Sequence, residues 1–258
     1  MRDGIKAIWE YRGFFAQFVN QQLRLRYQSS VLGFVWTLLN PLLIYASFCV
    51  IFSLINHWDL KGYGIYFFSG YMAWTFFATA SMMGADSVVA NGSYVTRIYV
   101  PKAVFPLAAV AVSLVDLLAS FAILAVLMLV LGAGFSPALL ILPVSALLLT
   151  VFVCGVCLLT SMWTVFLRDF RHLLSSLLFI WFFFCPILYR FSVVPSAAQR
   201  YFEWNPMLPF LRLFQKPISA GMWPAGSDLA AGAAIAVGTA ILGCVLFFRS
   251  ESRFYYYV

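Results

Sequence analysis

Residues 23–43, LRLRYQSSVLGFVWTLLNPLL, turn a basic segment into an uninterrupted apolar run within a few positions. Arg24, Arg26 and Tyr27 lead through Ser29 and Ser30 to Gly33, Trp36 and Pro41. Arginine stems lie along apolar surface while their heads reach water or headgroups, and indole rings settle at the membrane–water boundary. The stretch therefore reads as the joint where the chain passes from a membrane surface into the hydrocarbon.

Composition agrees with that joint. Of 258 residues, 64% are hydrophobic and 10% charged, with a mean hydropathy of +0.94; a soluble domain carries about 25% charged residues. The chain reads as one multi-pass transmembrane domain, residues 1–258, with no large soluble domain attached. Its net charge of +7 suits cations flanking membrane spans. No basic cluster is dense enough to point to nucleic acid.

The first 30 residues hold five basic groups and no long apolar run, so a cleaved signal peptide is not expected. They read as an interfacial helix over 1–30. Ile5, Ile8, Trp9, Phe15, Val19 and Leu23 share one side of a helical wheel, and Lys6, Glu10, Gln17, Gln21 and Arg24 the other. Arg12 falls in the apolar stripe and must snorkel.

Crossing the hydrocarbon takes about 20 apolar residues. Six runs reach or approach that length: Leu32–Ile55, Ile65–Ala90, Ala103–Leu131, Leu139–Leu167, Leu173–Tyr189 and Leu229–Phe248. The expected fold class is all-α integral membrane, with spans one to five over 32–189 and span six over 229–248. With the N-terminus inside, eleven Lys and Arg fall on the inner side and five on the outer, which predicts both termini in the cytoplasm. Between spans five and six, residues 190–227 are proline-rich, and the apolar stretch Trp204–Phe214 is too short to span. Re-entrant helices at the outer face are expected there, packed on protein or lining a cavity.

Candidate chemistry is sparse. There is no G-x-x-x-x-G-K-[ST] phosphate loop, and no paired-carboxylate, H-E-x-x-H or Ser/His/Asp arrangement, so an enzyme is not expected. No metal site is expected. Cys49, Cys154, Cys157, Cys185 and Cys244 lie in apolar runs and read as small apolar residues; Cys154-x-x-Cys157 lacks the second Cys/His pair of a zinc site. Asp116 lies deep in span three. It could serve a proton relay, face an aqueous or sugar-lined path, or sit in a hydrogen-bonded pair. Asp86 is expected to pair with Arg97 or face water.

The inner loops are more specific. Asn91–Lys102, NGSYVTRIYVPK, sets Arg97 and Lys102 among Tyr94, Ile98 and Tyr99, with a proline at 101. Arg168-Asp169-Phe170-Arg171-His172 interrupts a long apolar tract. Short basic loops with exposed aromatics suit docking on a cytosolic protein. Tyr45, Phe48 and Phe52 in span one, and Trp181 and Phe184 in span five, align aromatic faces of a kind that stack on sugar rings.

Taken together, Arg24, Tyr27, Ser30, Leu32, Gly33, Trp36, Leu39 and Pro41 resemble the opening of polysaccharide-export permeases of the type-2 ABC transporter group, which move O-antigen, teichoic acid and capsule chains. Thr96–Lys102 looks like that family's inner coupling segment. Phe166-Leu167-Arg168-Asp169 is similar to its F-F-R-D motif, with Leu167 at the second Phe. Pro186-Ile187-x-Tyr189 and Asn205-Pro206 match its outer P-x-x-Y and N-P elements.

The resemblance implies a homodimer around a central channel, in the bacterial inner membrane. Two copies of a cytosolic ATP-binding subunit would carry the ATP and Mg, with no cofactor on this chain. The N-terminal helix and Tyr94, Arg97, Ile98, Tyr99, Pro101 and Lys102 would meet that subunit. Spans one and five would line the path, and residues 190–227, with Pro186 and Tyr189, would form the outer gate. The cargo would be a glycan, O-antigen foremost, on a polyprenyl-diphosphate lipid, whose diphosphate would meet Arg24, Arg26 and Tyr27 by charge matching. Capsule or teichoic acid export is the alternative within the family. An ion-coupled secondary transporter is the alternative outside it, and of the intramembrane ion ligands it needs only Asp116 is offered.

Overall fold

The computed structural model describes residues 9–28, 35–56, 60–97 and 100–257. Ile98, Tyr99, Ser29, Ser30, Leu32, Gly33, and the side chains of Tyr27, Phe52 and Arg97, lie outside the described residues. All regular structure among the described residues is helical. The helices are α1 Arg12–Gln28, α2 Val35–Asn56, α3 Leu60–Ala90, α4 Gly92–Arg97, α5 Val104–Leu131, α6 Leu142–Phe166, α7 Phe170–Phe183, α8 Ser196–Phe202, α9 Leu208–Ser219 and α10 Gly226–Ser250. Short 3-10 turns cover Pro137–Ile141, Phe191–Val193 and Glu251–Tyr256.

Among the described residues, three helical stretches are long and apolar enough to cross a membrane: Val104–Leu131, Pro137–Phe166 and Gly226–Tyr255. They coincide with the third, fourth and sixth apolar runs of the sequence. The centre of the bundle is α3, which packs on α5, α6 and α9 and touches α2 and α7. Its 31 residues are diluted by Gly, Ser and Thr. That dilution suits an inner helix, because small residues let neighbouring backbones approach where no lipid intervenes. Tyr63, Phe67, Phe68, Phe77 and Met72 are fully buried, and Gly84 faces the backbone and thiol of Cys157. The Cys157 Sγ–H donates to the Ala80 carbonyl at 3.2 Å, so this buried thiol works as a small packing residue.

Helices α6 and α10 cross with their backbones in direct contact. A Cβ on Gly155 would lie 2.5 Å from the Thr239 carbonyl, and one on Gly243 2.5 Å from the Gly155 oxygen. Backbone meets backbone there, so nothing can yield by changing rotamer. Gly155→Leu or Gly243→Leu is expected to overpack the crossing by about 1–3 kcal/mol or more, read as early unfolding in detergent; Gly238→Leu, with open space around its Cβ, is the tolerated control.

The fifth run departs from expectation. Its helix, α7, has 14 residues, a rise of about 21 Å against a hydrocarbon thickness of about 30 Å. The expected span over Leu173–Tyr189 therefore stops at Phe183, and residues 184–189 fold back as a turn. Beyond it, α9 is wedged against α3, α6 and α10 with Leu208, Phe210, Leu211, Leu213 and Phe214 buried. Pro209 sits in its first turn, where no N–H is needed, and Pro217 in its last, near where the 12-residue helix ends.

Candidate functional site

Arg26, in the last turn of α1, places Nη1 2.7 Å from Asp116 Oδ2 on α5. Below this pair, the buried Phe18 meets Phe105 edge-on at 5.4 Å and stacks with Phe14 at 5.9 Å. The stretches 18–26 and 105–116 rise about 12 and 16 Å, so the two contacts lay α1 lengthwise along α5. Glu10, Gln17, Gln21 and Arg24 are exposed, as the wheel predicts, and Phe15, Val19 and Leu23 are half-buried. The deepest contact is through Phe18, which the wheel left out of its stripe. Arg12 is exposed and sits 5.3 Å from the Trp9 ring centre.

Arg26 and Asp116 border a cleft of about 430 Å³ between α1, α2, α3 and α5, with Trp36, Asn40, Tyr71 and Thr75 on its walls. The joint that starts at residue 23 thus supplies a cation, an indole and an amide to one polar space. Of the three readings open for Asp116, the structure shows the paired carboxylate, on the wall of this cleft. With side-chain exposures of 37% for Arg26 and 20% for Asp116, the pair is partly screened; its main work is to hold the guanidinium's direction.

At the same end of the bundle, the segment after α3 is held from behind by the C-terminus. The Lys102 backbone N–H donates to Glu251 Oε1 at 2.9 Å and Lys102 Nζ to the Glu251 carbonyl at 2.7 Å. Burial lowers the Lys102 ammonium pKa, and the Glu251 charge opposes it. Lys102 Nζ also lies 5.7 Å from the ring centre of Phe254, which is fully buried against Phe247 at 5.2 Å and Phe166 at 5.8 Å. Glu251 and Phe254 escaped the sequence reading. The available signal was the aromatic run 254–257 placed just after the last span.

One expectation for the inner loops changes. Tyr94 is half-buried against Phe14, Phe18 and Phe105 instead of standing exposed, and Pro101 is buried near it in sequence. Asp86, with its side chain 40% exposed, faces water as one of its two expected settings has it, and also lies 3.6 Å from Arg171, because α3 packs beside α7 and brings the first turn of α7 to the carboxylate. Arg168 and Asp169 are exposed.

At the opposite end, Asn205 gathers the outer motifs into one turn. Trp181 Nε1 donates to Asn205 Oδ1 at 2.9 Å, as does the Met207 N–H at 3.0 Å. Asn205 Nδ2 donates to the Phe184 carbonyl at 3.1 Å. The Tyr66 hydroxyl donates to the Pro186 carbonyl at 2.7 Å, with the Tyr189 carbonyl 3.1 Å away. Tyr63 donates to Leu188 O at 2.9 Å and Gln215 Nε2 to Pro186 O at 2.9 Å. Tyr189 donates to Phe183 O at 2.9 Å, and Pro206 is half-buried beside Asn205.

The aromatic faces divide. Tyr45 meets Phe68 at 5.9 Å and Phe48 meets Phe67 at 5.2 Å, which packs α2 on α3. Trp181 turns inward to Trp74 and Phe77 at 5.9 and 5.3 Å. Phe184, one residue past the end of α7, is exposed, and so are Phe179, Ile180 and Phe183. Trp181 and Phe184 nevertheless line one apolar pocket of about 550 Å³, together with Tyr201 and Trp204.

The description "ABC-2 type transporter" belongs to the family whose profile matches residues 14–218. The chain is 28% identical over 235 residues to the O-antigen export system permease protein RfbA of Myxococcus xanthus, covering 90% of each protein. It is 28% identical over 191 residues to a protein of the same name from Klebsiella pneumoniae, covering 73% of each. A second Klebsiella pneumoniae protein of that name is 27% identical over 189 residues, again 73% of each. The profile match runs from α1 into α9, and so takes in the cleft, the segment 92–102 and the outer turn.

Proposed function

Because the chain belongs to the ABC-2 type transporter family, we propose that it is the membrane-spanning subunit of an exporter of lipid-linked polysaccharide, O-antigen foremost, in the bacterial inner membrane. Two copies enclose the path, and two copies of a separate ATP-binding subunit, which carry ATP and Mg, drive it. Each copy crosses six times, with α2, α3 and α7 and its following turn completing the three strongly apolar spans, and both termini are cytoplasmic. The cargo is a polyprenyl-diphosphate glycan.

The observation that carries this reading is the cleft under Arg26. A diphosphate moving from water into a bilayer needs a cation held in place and polar neighbours in a space closed on the protein side. A guanidinium carries five N–H donors in a planar fork, so Asp116 can hold one edge while another faces phosphate oxygens. Arg24 and Tyr27 belong to the same approach. The segment 92–102, seated on α1 and clamped by Glu251, is the contact for the ATP-binding subunit, with Arg168 and Asp169 beside it. Tyr45, Phe48, Phe52, Trp181 and Phe184 border the path, and Pro186, Tyr189, Asn205 and Pro206 form the outer gate.

Co-purification tests this directly. ATPase activity is expected only when the chain is isolated with its ATP-binding subunit, and mass spectrometry of the bound lipid is expected to find a diphosphate-linked glycan. An ATPase-free chain that moves solute on an ion gradient overturns the reading.

A further inference from the structure

The apolar pocket of about 550 Å³ is a groove that runs beside α7. One wall is the stripe Leu174, Leu177, Leu178, Trp181 and Phe184, whose spacing of three and four keeps it on one side of the helix. The floor is Phe77 and Ser81, one turn apart on α3, with Val156 of α6. Residues 174–184 rise about 15 Å, half of a hydrocarbon layer about 30 Å thick. The groove is therefore as long as one leaflet. Its mouth, at the end remote from α1, carries Tyr201 and Trp204, 78% and 84% exposed, residue types that settle at headgroup level. Leu177, Ile180 and Phe184 are exposed, so the groove is open along its flank as well.

The lining selects hydrocarbon. Trp181 Nε1 and the Asn205 amide are engaged with one another, and the amide also with Met207 and Phe184. Ser81 Oγ is buried at the floor without a hydrogen-bond partner. One hydroxyl cannot hold a water there, since a trapped water needs about two to four polar partners. A sugar below the rim would leave its own hydroxyls unmet. A helix is too thick: about 550 Å³ over about 15 Å is a cross-section of roughly 37 Å², against roughly 80–110 Å² for a helix with its side chains. An empty groove would forfeit the contacts of all its walls.

We propose that this groove holds one acyl chain of a bilayer phospholipid, entering past Tyr201 and Trp204 and lying along α7 as far as Leu174. The chain fills the gap that leaves Leu174 and Leu178 as the buried residues of α7. It also closes the seam between the bilayer and the path bordered by Trp181 and Phe184. Occupancy rests on the groove alone; only the closing of a path rests on the export reading.

Photolabelling tests the site. The full chain is placed in phosphatidylcholine nanodiscs in which a small share of the lipid carries a diazirine midway along one acyl chain. After irradiation, labelled residues are mapped by mass spectrometry. Phe77 and Ser81 are buried and line the groove floor, so label on them reports its occupant. Val237 and Ile241, exposed on α10, report bulk lipid. Label on Phe77 is expected several-fold above that on α10. Ser81→Leu, which fills the floor, and separately Val156→Phe, which narrows the groove from α6, should each lower the Phe77 label roughly fivefold or more and leave α10 unchanged. Label on Phe77 no higher than on α10, or label that survives both fillers, overturns the site. So does label lost on adding excess polyprenyl phosphate, since the occupant would then be an isoprenoid chain. Label found in nanodiscs holding one copy but absent from those holding two also overturns it, since a second copy would then cover the groove. None of these outcomes requires export or the ATP-binding subunit, so a failed groove and a failed export reading are told apart.

Discussion

Arg24→Gln combined with Arg26→Gln is expected to bring export of lipid-linked glycan to background, with Arg26→Gln alone lowering it ten- to a hundredfold. A charge-assisted contact contributes about 1.5–3 kcal/mol, and each 1.4 kcal/mol is about tenfold. Loss of Arg26 also leaves Asp116 without the guanidinium that sits 2.7 Å from it, so a lowered activity by itself does not separate cargo binding from packing. Charge exchange does. Arg26→Asp with Asp116→Arg rebuilds an ion pair between α1 and α5 but moves the cation from the approaching helix onto the span. Protection of α1 from protease should return in the exchanged protein while export stays at background. Recovery of export in the exchanged protein would mean that Arg26 serves only to dock α1, and the diphosphate assignment would fall.

Phe254→Ala should cost about 3–5 kcal/mol at the clamp, the usual range for emptying a fully buried Phe site. That is enough to release the segment ending at Lys102 from the C-terminus. The helix pair α3/α5 does not involve Phe254, and the glycine crossing of α6 with α10 at Gly155 and Gly243 lies away from it along both helices, so the chain should still insert and purify. Binding to the ATP-binding subunit and export should both fall more than tenfold, measured by co-purification and by glycan at the outer surface. Lys102→Met keeps the stem and removes the Nζ bond to the Glu251 carbonyl, and should fall between Phe254→Ala and the parent. Full partner binding by a Phe254→Ala chain whose segment 92–102 has become protease-sensitive would show that the clamp has no part in coupling.

Much of this architecture was legible because a bilayer makes length and apolarity nearly sufficient evidence for a helix. The runs Ala103–Leu131, Leu139–Leu167 and Leu229–Phe248 match helices to within a few residues. Leu173–Tyr189 misled for a specific reason. Residues 185–188 are apolar and buried, so composition continues the span, but Tyr63, Tyr66 and Gln215 capture the carbonyls of the turn from elsewhere in the chain. Donors 29 to 125 residues away leave no trace in a local window.

The site followed the same rule. Arg26 and Asp116 were each conspicuous in the sequence, one as a cation at the membrane surface and the other as an acid within a span. Their meeting across 90 positions depends on how α1 lies along α5. Phe18 was missed because a wheel ranks faces by average polarity, whereas depth is set by the shape of the partner, here Phe105 and Tyr94. Glu251 and Phe254 were missed because a charged residue followed by aromatics after a last span already looks explained as an interfacial anchor.

The turn at 186–189 has a mechanical consequence. Helices normally satisfy their own carbonyls, but here three main-chain oxygens are held by side chains rooted in α3 and α9. Turn, α3 and α9 thus form a single block, with bolts that run crosswise to the chain. Pulling the turn open would break several hydrogen bonds at once in a place where water is scarce to replace them. Widening at this end is cheapest along the exposed flank of α7, because the stretch between α9 and α10 is itself tied: Ser136 Oγ donates to the Gly221 carbonyl at 2.7 Å, and Arg212 and Lys216 on α9 reach Asp228 on α10. A displacement of the turn would therefore carry α3 and α9 with it as one plate.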